Sequence, residues 1–209
     1  ELHWYRLAAK QGFVGGKHGL GRFYKDDRGV FKQDENQAVH WCRLAAEQGL
    51  ADAQIDMALF FALGTGVEQD YGQAVHWWRL AAEQESVSAQ GFLGDLYHFG
   101  QGVERDDEQA VHWSRLAADQ GEPRAQLSMA RAYARGEGVD QDDEQAVHWC
   151  RKAADQQQDR AQLEMGISYA TGRGVEQDDE QAVQWYRLAA EQGNMRARCR
   201  LGNSYYLGE

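Results

Sequence analysis

Five short acidic runs are the first places where this sequence could do chemistry: DENQ at 34–37, DYGQ at 70–73, and DDEQ at 106–109, 142–145 and 178–181. Grouped carboxylates can hold a hard cation. A calcium loop, however, needs oxygen ligands at alternating positions and a bidentate Glu at the twelfth. The longest run, VDQDDEQ at 139–145, lacks that spacing. An Asp followed three residues later by Gln is instead the pattern of a capping box at a helix start. The glycine runs, such as Gly64-Thr65-Gly66, are followed by no Gly-Lys-Ser/Thr and preceded by no strand pattern, which excludes a phosphate loop. They read as helix stops and turns. His3, His40, His76, His112 and His148 each stand beside a Trp. On neighbouring helices, equivalent atoms lie ~10 Å apart, too far to share a metal. They read as an outer-face ladder that gains charge below pH ~6.5. Cys42, Cys150 and Cys199 are too few for a disulfide scaffold, and none is placed to pair with another. Neither G-x-S-x-G nor H-E-x-x-H occurs. The sequence is read as non-enzymatic, with no catalytic, cofactor or metal site.

These residues recur because the chain repeats. Trp41, Trp77, Trp113, Trp149 and Trp185 are spaced by 36, within the recurring text QAVHW or QAVQW. LHWYRLAAKQG at the start is the same segment without its first turn, offset by 37. A second stretch recurs between these: Gly94-Asp95-Leu96-Tyr97 with Gly100, Gly102 and Val103 matches 166–175, and 130–139 with Ala for the first Gly. The reading is a single array over residues 1–209 of about six units, truncated at both ends, with 1–33 a degenerate first unit. Each unit reads as two helices. The first spans roughly 88–100, with Ala89, Leu93, Gly94 and Tyr97 on one face. The second begins at Asp106, capped through Gln109, with Ala110, Trp113, Ala117 and Ala118 inward. The Trp residues read as packing groups, and Trp78 as the filler of a local gap. Such pairs bury their apolar faces only by stacking, so the fold class is an all-α solenoid of antiparallel helix pairs with a 36-residue period.

The pattern A-x-x-x-[LM]-[GA]-x-x-Y-x-x-G-x-G-V, then D-x-x-x-A-x-x-W-x-x-x-A-A-x-x-G, resembles the Sel1-like repeat, a relative of the tetratricopeptide repeat, over essentially the whole chain. The resemblance implies a right-handed superhelical stack and a scaffold or adaptor that binds proteins or peptides, mainly through first helices lining a concave side. The chain departs from the pattern in places. GGKHGLG at 15–21 is a poor helix former, so distortion is expected there. Asp27 stands where Gly64 and Gly100 stand later, and Glu85 and Gln157 replace the glycine that ends the second helix elsewhere.

The units can be compared with one another. Second helices are nearly identical, so specificity is expected at the variable positions of first helices. Opposite the stacking stripe these are Asp52, Ile55, Asp56 and Leu59; Phe92, Asp95 and Phe99; Arg124, Leu127, Arg131 and Arg135; Arg160, Leu163 and Ile167; and Arg196 and Arg200. The row mixes large apolar side chains with charge. Either a neighbouring helix of the array covers the apolar members, or a partner does. Its later part is arginine-rich in a chain of net charge -11, and Arg recognises carboxylates through paired hydrogen bonds. The expected partner is a protein or peptide with an acidic segment and apolar anchors, bound along the groove, with Arg115 on the outer face uninvolved. The acidic balance, with pI about 5.1, argues against nucleic acid. No apolar run is long enough to span a membrane. Two alternatives stay open. Neither end carries a polar capping unit, so the ends could pair between chains; or the array is an accessory domain of an enzyme. Three reduced thiols are compatible with a cytoplasmic or a periplasmic location.

Overall fold

The computed structural model describes residues 2–25 and 34–207, in which every regular element is a helix. The helices divide between two compact units, Glu1–Arg105 and Asp106–Glu209. The first holds α1 (Leu2–Lys10), α2 (Val14–Lys25), α3 (Glu35–Ala46), α4 (Ala51–Leu63), α5 (Tyr71–Ala82) and α6 (Val87–Phe99). The second holds α7 (Asp107–Asp119), α8 (Pro123–Arg135), α9 (Asp143–Asp155), α10 (Asp159–Thr171), α11 (Asp179–Glu191) and α12 (Met195–Leu207). Odd-numbered helices carry the constant Trp; even-numbered ones carry the variable positions.

The helix boundaries follow from the capping residues. Asp34, Asp70, Asp106, Asp142 and Asp178 each precede a helix, and each accepts a hydrogen bond at 2.9–3.0 Å from the backbone N–H of the Gln three residues on. The acidic runs are therefore N-terminal caps. At the turn after α5 and the turn after α9, Glu85 and Gln157 take the left-handed φ of 64° and 63° that glycine supplies elsewhere. This conformation costs an L-residue ~1–2 kcal/mol, and the surrounding turn bonds impose it.

The glycine-rich segment is a regular helix, contrary to the distortion expected there. The reason is close packing on both sides. A β-carbon at Gly16 would stand 2.6 Å from the Ala8 methyl, and one at Gly21 would overlap the Cys42 thiol. The glycines let α2 approach α1 and α3, and that contact offsets their poor helix propensity. Asp27 lies outside the described residues.

Cores are built from small residues. In the first unit Ala38, Cys42, Ala45 and Ala53 are fully buried with Met57 and Phe60. In the second, Ala182, Tyr186, Ala189 and Ala197 pack with Leu163. Trp78 fills its expected gap: it is 3% exposed and stacks on Phe92, with ring centroids 5.0 Å apart.

Two recurring polar devices fasten the helices. The first is a buried glutamine ladder. Gln54, Gln90, Gln126 and Gln162 donate to the carbonyls of Ala46, Ala82, Ala118 and Ala154 at 3.3–3.4 Å. The carbonyl oxygens of Gln54, Gln126 and Gln162 accept in turn from Gln84, Gln156 and Gln192 at 2.7–2.9 Å. The second device is an arginine–tyrosine bond across 18 residues: Arg6 to Tyr24, Arg79 to Tyr97, Arg115 to Tyr133 and Arg151 to Tyr169. Where Phe61 replaces the tyrosine, Arg43 stands 5.9 Å from its ring centroid instead.

Candidate interaction surface

The even-numbered helices present the variable positions. In the first unit Asp52 is exposed and Ile55 and Leu59 are half-buried. Asp56 is engaged within the fold: His18 Nε2 lies 2.8 Å from one carboxylate oxygen and Lys25 Nζ 2.9 Å from the other. Burial pushes this carboxyl's pKa up, but the hydrogen bonds and charges of His18 and Lys25 outweigh it and hold the group below its ordinary value. Phe92 is occupied by Trp78, and Asp95 is half-buried. Phe99 is 67% exposed, and Leu63, at the same position of the preceding repeat, is 71% exposed.

In the second unit Arg124, Arg160, Arg196 and Arg200 are exposed on α8, α10 and α12. Arg131 Nη2 meets Glu164 Oε1 at 3.4 Å, with both side chains about two-fifths exposed. Arg135 lies 3.7 Å from Glu137. Among the described residues, Arg160, Arg196 and Arg200 enter no ion pair. Leu127 and Leu163 are interior, at 6% and 8% exposure, and Ile167 packs on the cluster that contains Leu163. The expected apolar row is therefore discontinuous. Neighbouring helices cover these three positions, so the arginine side chains dominate what this unit offers.

Three features of the surface escaped the sequence reading. Arg115 is not an idle outer-face residue, because its guanidinium donates to Tyr133 Oη at 2.6 Å. The constant 18-residue Arg–Tyr spacing was the available signal. The Asp56–His18–Lys25 cluster joins α2 to α4 and occurs once, so no periodicity announced it. The buried glutamines of the ladder recur at 36, a signal that the reading of the sequence did not use.

Candidate chemistry elsewhere is limited. Cys42 and Cys150 are buried free thiols whose pKa is pushed up to about 12, chiefly by burial. His40, His76, His112 and His148 are exposed, each edge-on to its neighbouring Trp. Among the described residues, no group of three His, Cys, Asp or Glu side chains could hold a metal ion, and no helix is long and apolar enough to cross a membrane.

Capped helix pairs at a fixed period, fastened by repeated side-chain bonds, define an α-helical repeat protein of the solenoid class. Its repeats match the Sel1 repeat model at residues 2–13, 16–50, 51–86, 87–122, 123–157 and 159–194. The chain belongs to the Sel1 repeat family. It is similar to c5321, a protective antigen present in uropathogenic Escherichia coli strains and displaying an SLR fold: 38% identity, TM-score 0.96, over 100% of this chain. This chain spans 44% of that protein's length. It also resembles a Sel1 repeat protein from Oxalobacter formigenes, with 33% identity and TM-score 0.83 over 94% of this chain and 78% of that one. The immunity protein Pa5087 from Pseudomonas aeruginosa shares the fold at 19% identity and TM-score 0.50, over 88% of this chain and 67% of its own. No curated protein matches the sequence. Sel1 repeat proteins are generally protein–protein interaction scaffolds rather than enzymes.

Proposed function

We propose that this chain is a non-enzymatic scaffold whose second unit holds an acidic protein segment against the arginines of α8, α10 and α12. The observation that carries the reading is the exposure of Arg160, Arg196 and Arg200, outside any ion pair among the described residues, in a chain of net charge -11. The planar donors of a guanidinium group match a carboxylate through two parallel hydrogen bonds. In the first unit, exposed Phe99 and Leu63 and half-buried Ile55 and Leu59 offer contact to apolar anchors. The single array over 1–209 belongs to this reading as well. The test is fluorescence anisotropy with labelled peptides that combine Glu runs and Leu anchors. Arg160→Glu/Arg196→Glu/Arg200→Glu should weaken binding by roughly tenfold or more, since each exposed pair contributes ~0.2–1 kcal/mol and reversal adds repulsion. Lys10→Glu, on α1, should leave it unchanged. Equal binding by all three proteins removes the proposal.

Self-association is the second reading, and one contrast favours it. Trp4 is 69% exposed and Leu7 42%, whereas Trp149, in the recurring Trp position, is 4% exposed. A helix from a second copy would cover that face of α1. Sedimentation velocity over a concentration series decides: a concentration-independent monomer excludes it.

A further inference from the structure

An open cleft of about 460 Å³ lies in the second unit between α9 and α11. Trp185 and Leu188 line it together with the acidic residues Asp155 and Glu191, and Ala154, Gln157, Gln162 and Gln192 complete the lining. Leu188 is 44% exposed. No basic side chain lines it. Arg151 stands 6.0 Å from the Trp185 ring centroid, but its guanidinium is held by Tyr169 Oη at 2.5 Å.

The preceding repeat shows what suits such a ring. Trp149 occupies the position of Trp185, and Lys152 that of Leu188, each 36 residues earlier. There the Lys152 ammonium lies over the Trp149 ring, 4.3 Å from its centroid, and the indole is 4% exposed. An ammonium on an indole face gains cation–π attraction, and more when water is excluded. At that position Leu188, like Leu44, Leu80 and Leu116, supplies no ammonium, which leaves Arg151, 6.0 Å from the centroid, as the cation beside this ring. The next repeat keeps the indole and the acidic position at the helix end, Asp155 in α9 and Glu191 in α11. Two acidic residues in the lining favour a cation further and disfavour an anion.

We propose that the Trp185 cleft binds an alkylammonium group, namely a lysine side chain of a partner protein seated between Asp155 and Glu191 and lying over the indole as Lys152 lies over Trp149. This site is separate from the arginine surface and takes the opposite charge.

The test follows the tryptophan indole N–H resonances of the intact chain by NMR, with the Trp185 signal assigned by Trp185→Phe. The probes are butylammonium, a blocked Gly-Lys-Gly peptide and its norleucine analogue. The lysine peptide should shift the Trp185 signal and bind more tightly than butylammonium, and the norleucine peptide should do neither. Asp155→Asn/Glu191→Gln should weaken the lysine peptide by about tenfold. Leu188→Lys should fill the cleft from within, as Lys152 does one repeat earlier, and abolish binding in a folded protein. Arg160→Glu/Arg196→Glu/Arg200→Glu should retain lysine binding, so the two sites fail separately. No Trp185 shift with either amine, equal shifts from the norleucine peptide, or undiminished binding by Leu188→Lys would overturn the site. Equal affinity for butylammonium and the lysine peptide would overturn its assignment to a protein lysine.

Discussion

Asp56 carries a charge in a place where a carboxylate alone would be unwelcome. Its side chain is 14% exposed, and desolvation of an ion that deep disfavours the charged form. His18 and Lys25 reverse the balance, and the carboxyl sits below its ordinary value. The stability this linkage supplies is therefore present above the unfolded-state value near pH ~3.9, and it is lost as pH falls through the lower folded-state pKa. Asp56→Asn should destabilise the protein by about 1–3 kcal/mol at neutral pH, because Lys25 loses its counter-charge and His18 a bond. The gap to wild type should narrow below pH ~4. Urea denaturation of both proteins across that range measures it. A gap that stays constant down to strong acid would mean that Asp56 acts through packing, and its charge contributes nothing. Two neighbours set the pKa of this residue from a different helix, which explains why its type and position alone suggested only a groove acid.

Among the elements, the glutamine ladder ties α4, α8 and α10 to the segments on either side of them, and α6 to α5. Gln162 is 4% exposed and serves twice, donating to Ala154 O at 3.4 Å and accepting from Gln192 at 2.7 Å. Gln162→Ala takes one of two donors from the buried Ala154 carbonyl and frees the amide of exposed Gln192, and should cost about 0.5–1.5 kcal/mol. Chemical denaturation checks the total. Amide hydrogen exchange checks the place, with the loss of protection expected at the ends of α9 and α11. Loss spread evenly over the chain would mean the ladder is not a local fastener. Helix limits, caps and the inward stripes were legible in the sequence because period and capping are local signals. Asp106 with Gln109 announced the start of α7, and Ala117 and Ala118 its buried side. The regular helix at Val14–Lys25 was not legible. Helix propensity describes an isolated segment, whereas Gly16 and Gly21 act through the neighbours they admit. For Leu127 and Leu163 the sequence left two readings open, cover by a neighbouring helix or by a partner; their burial favours the first, because an even-numbered helix is flanked on more than one side.

For the molecule as a whole, the charge has two lengths. The chain carries 33 acidic and 22 basic residues, so its far field repels an acidic partner. The arginines of α8, α10 and α12 form a near field of the opposite sign. Salt separates the two, because screening removes distant interactions before close ones. At ~0.01 M ionic strength the Debye length is ~30 Å, and the whole chain is felt; near 0.1 M it is ~10 Å, and the local arginines prevail. Affinity for an acidic segment should therefore rise between these conditions and fall again toward 1 M, where contact pairs are screened as well. A simple basic surface would show only a fall. Anisotropy titrations of the Glu-rich peptide along a salt series measure the curve. In Arg160→Glu/Arg196→Glu/Arg200→Glu the near field is inverted, so the maximum should vanish and the residual affinity should grow with salt throughout. A wild-type affinity that falls monotonically from the lowest salt would mean that the partner never feels the far acidic field, and that the arginine surface acts as an isolated basic patch. The lysine cleft provides the opposite control. There the far field and the near field share a sign, and binding should decline steadily as salt is added.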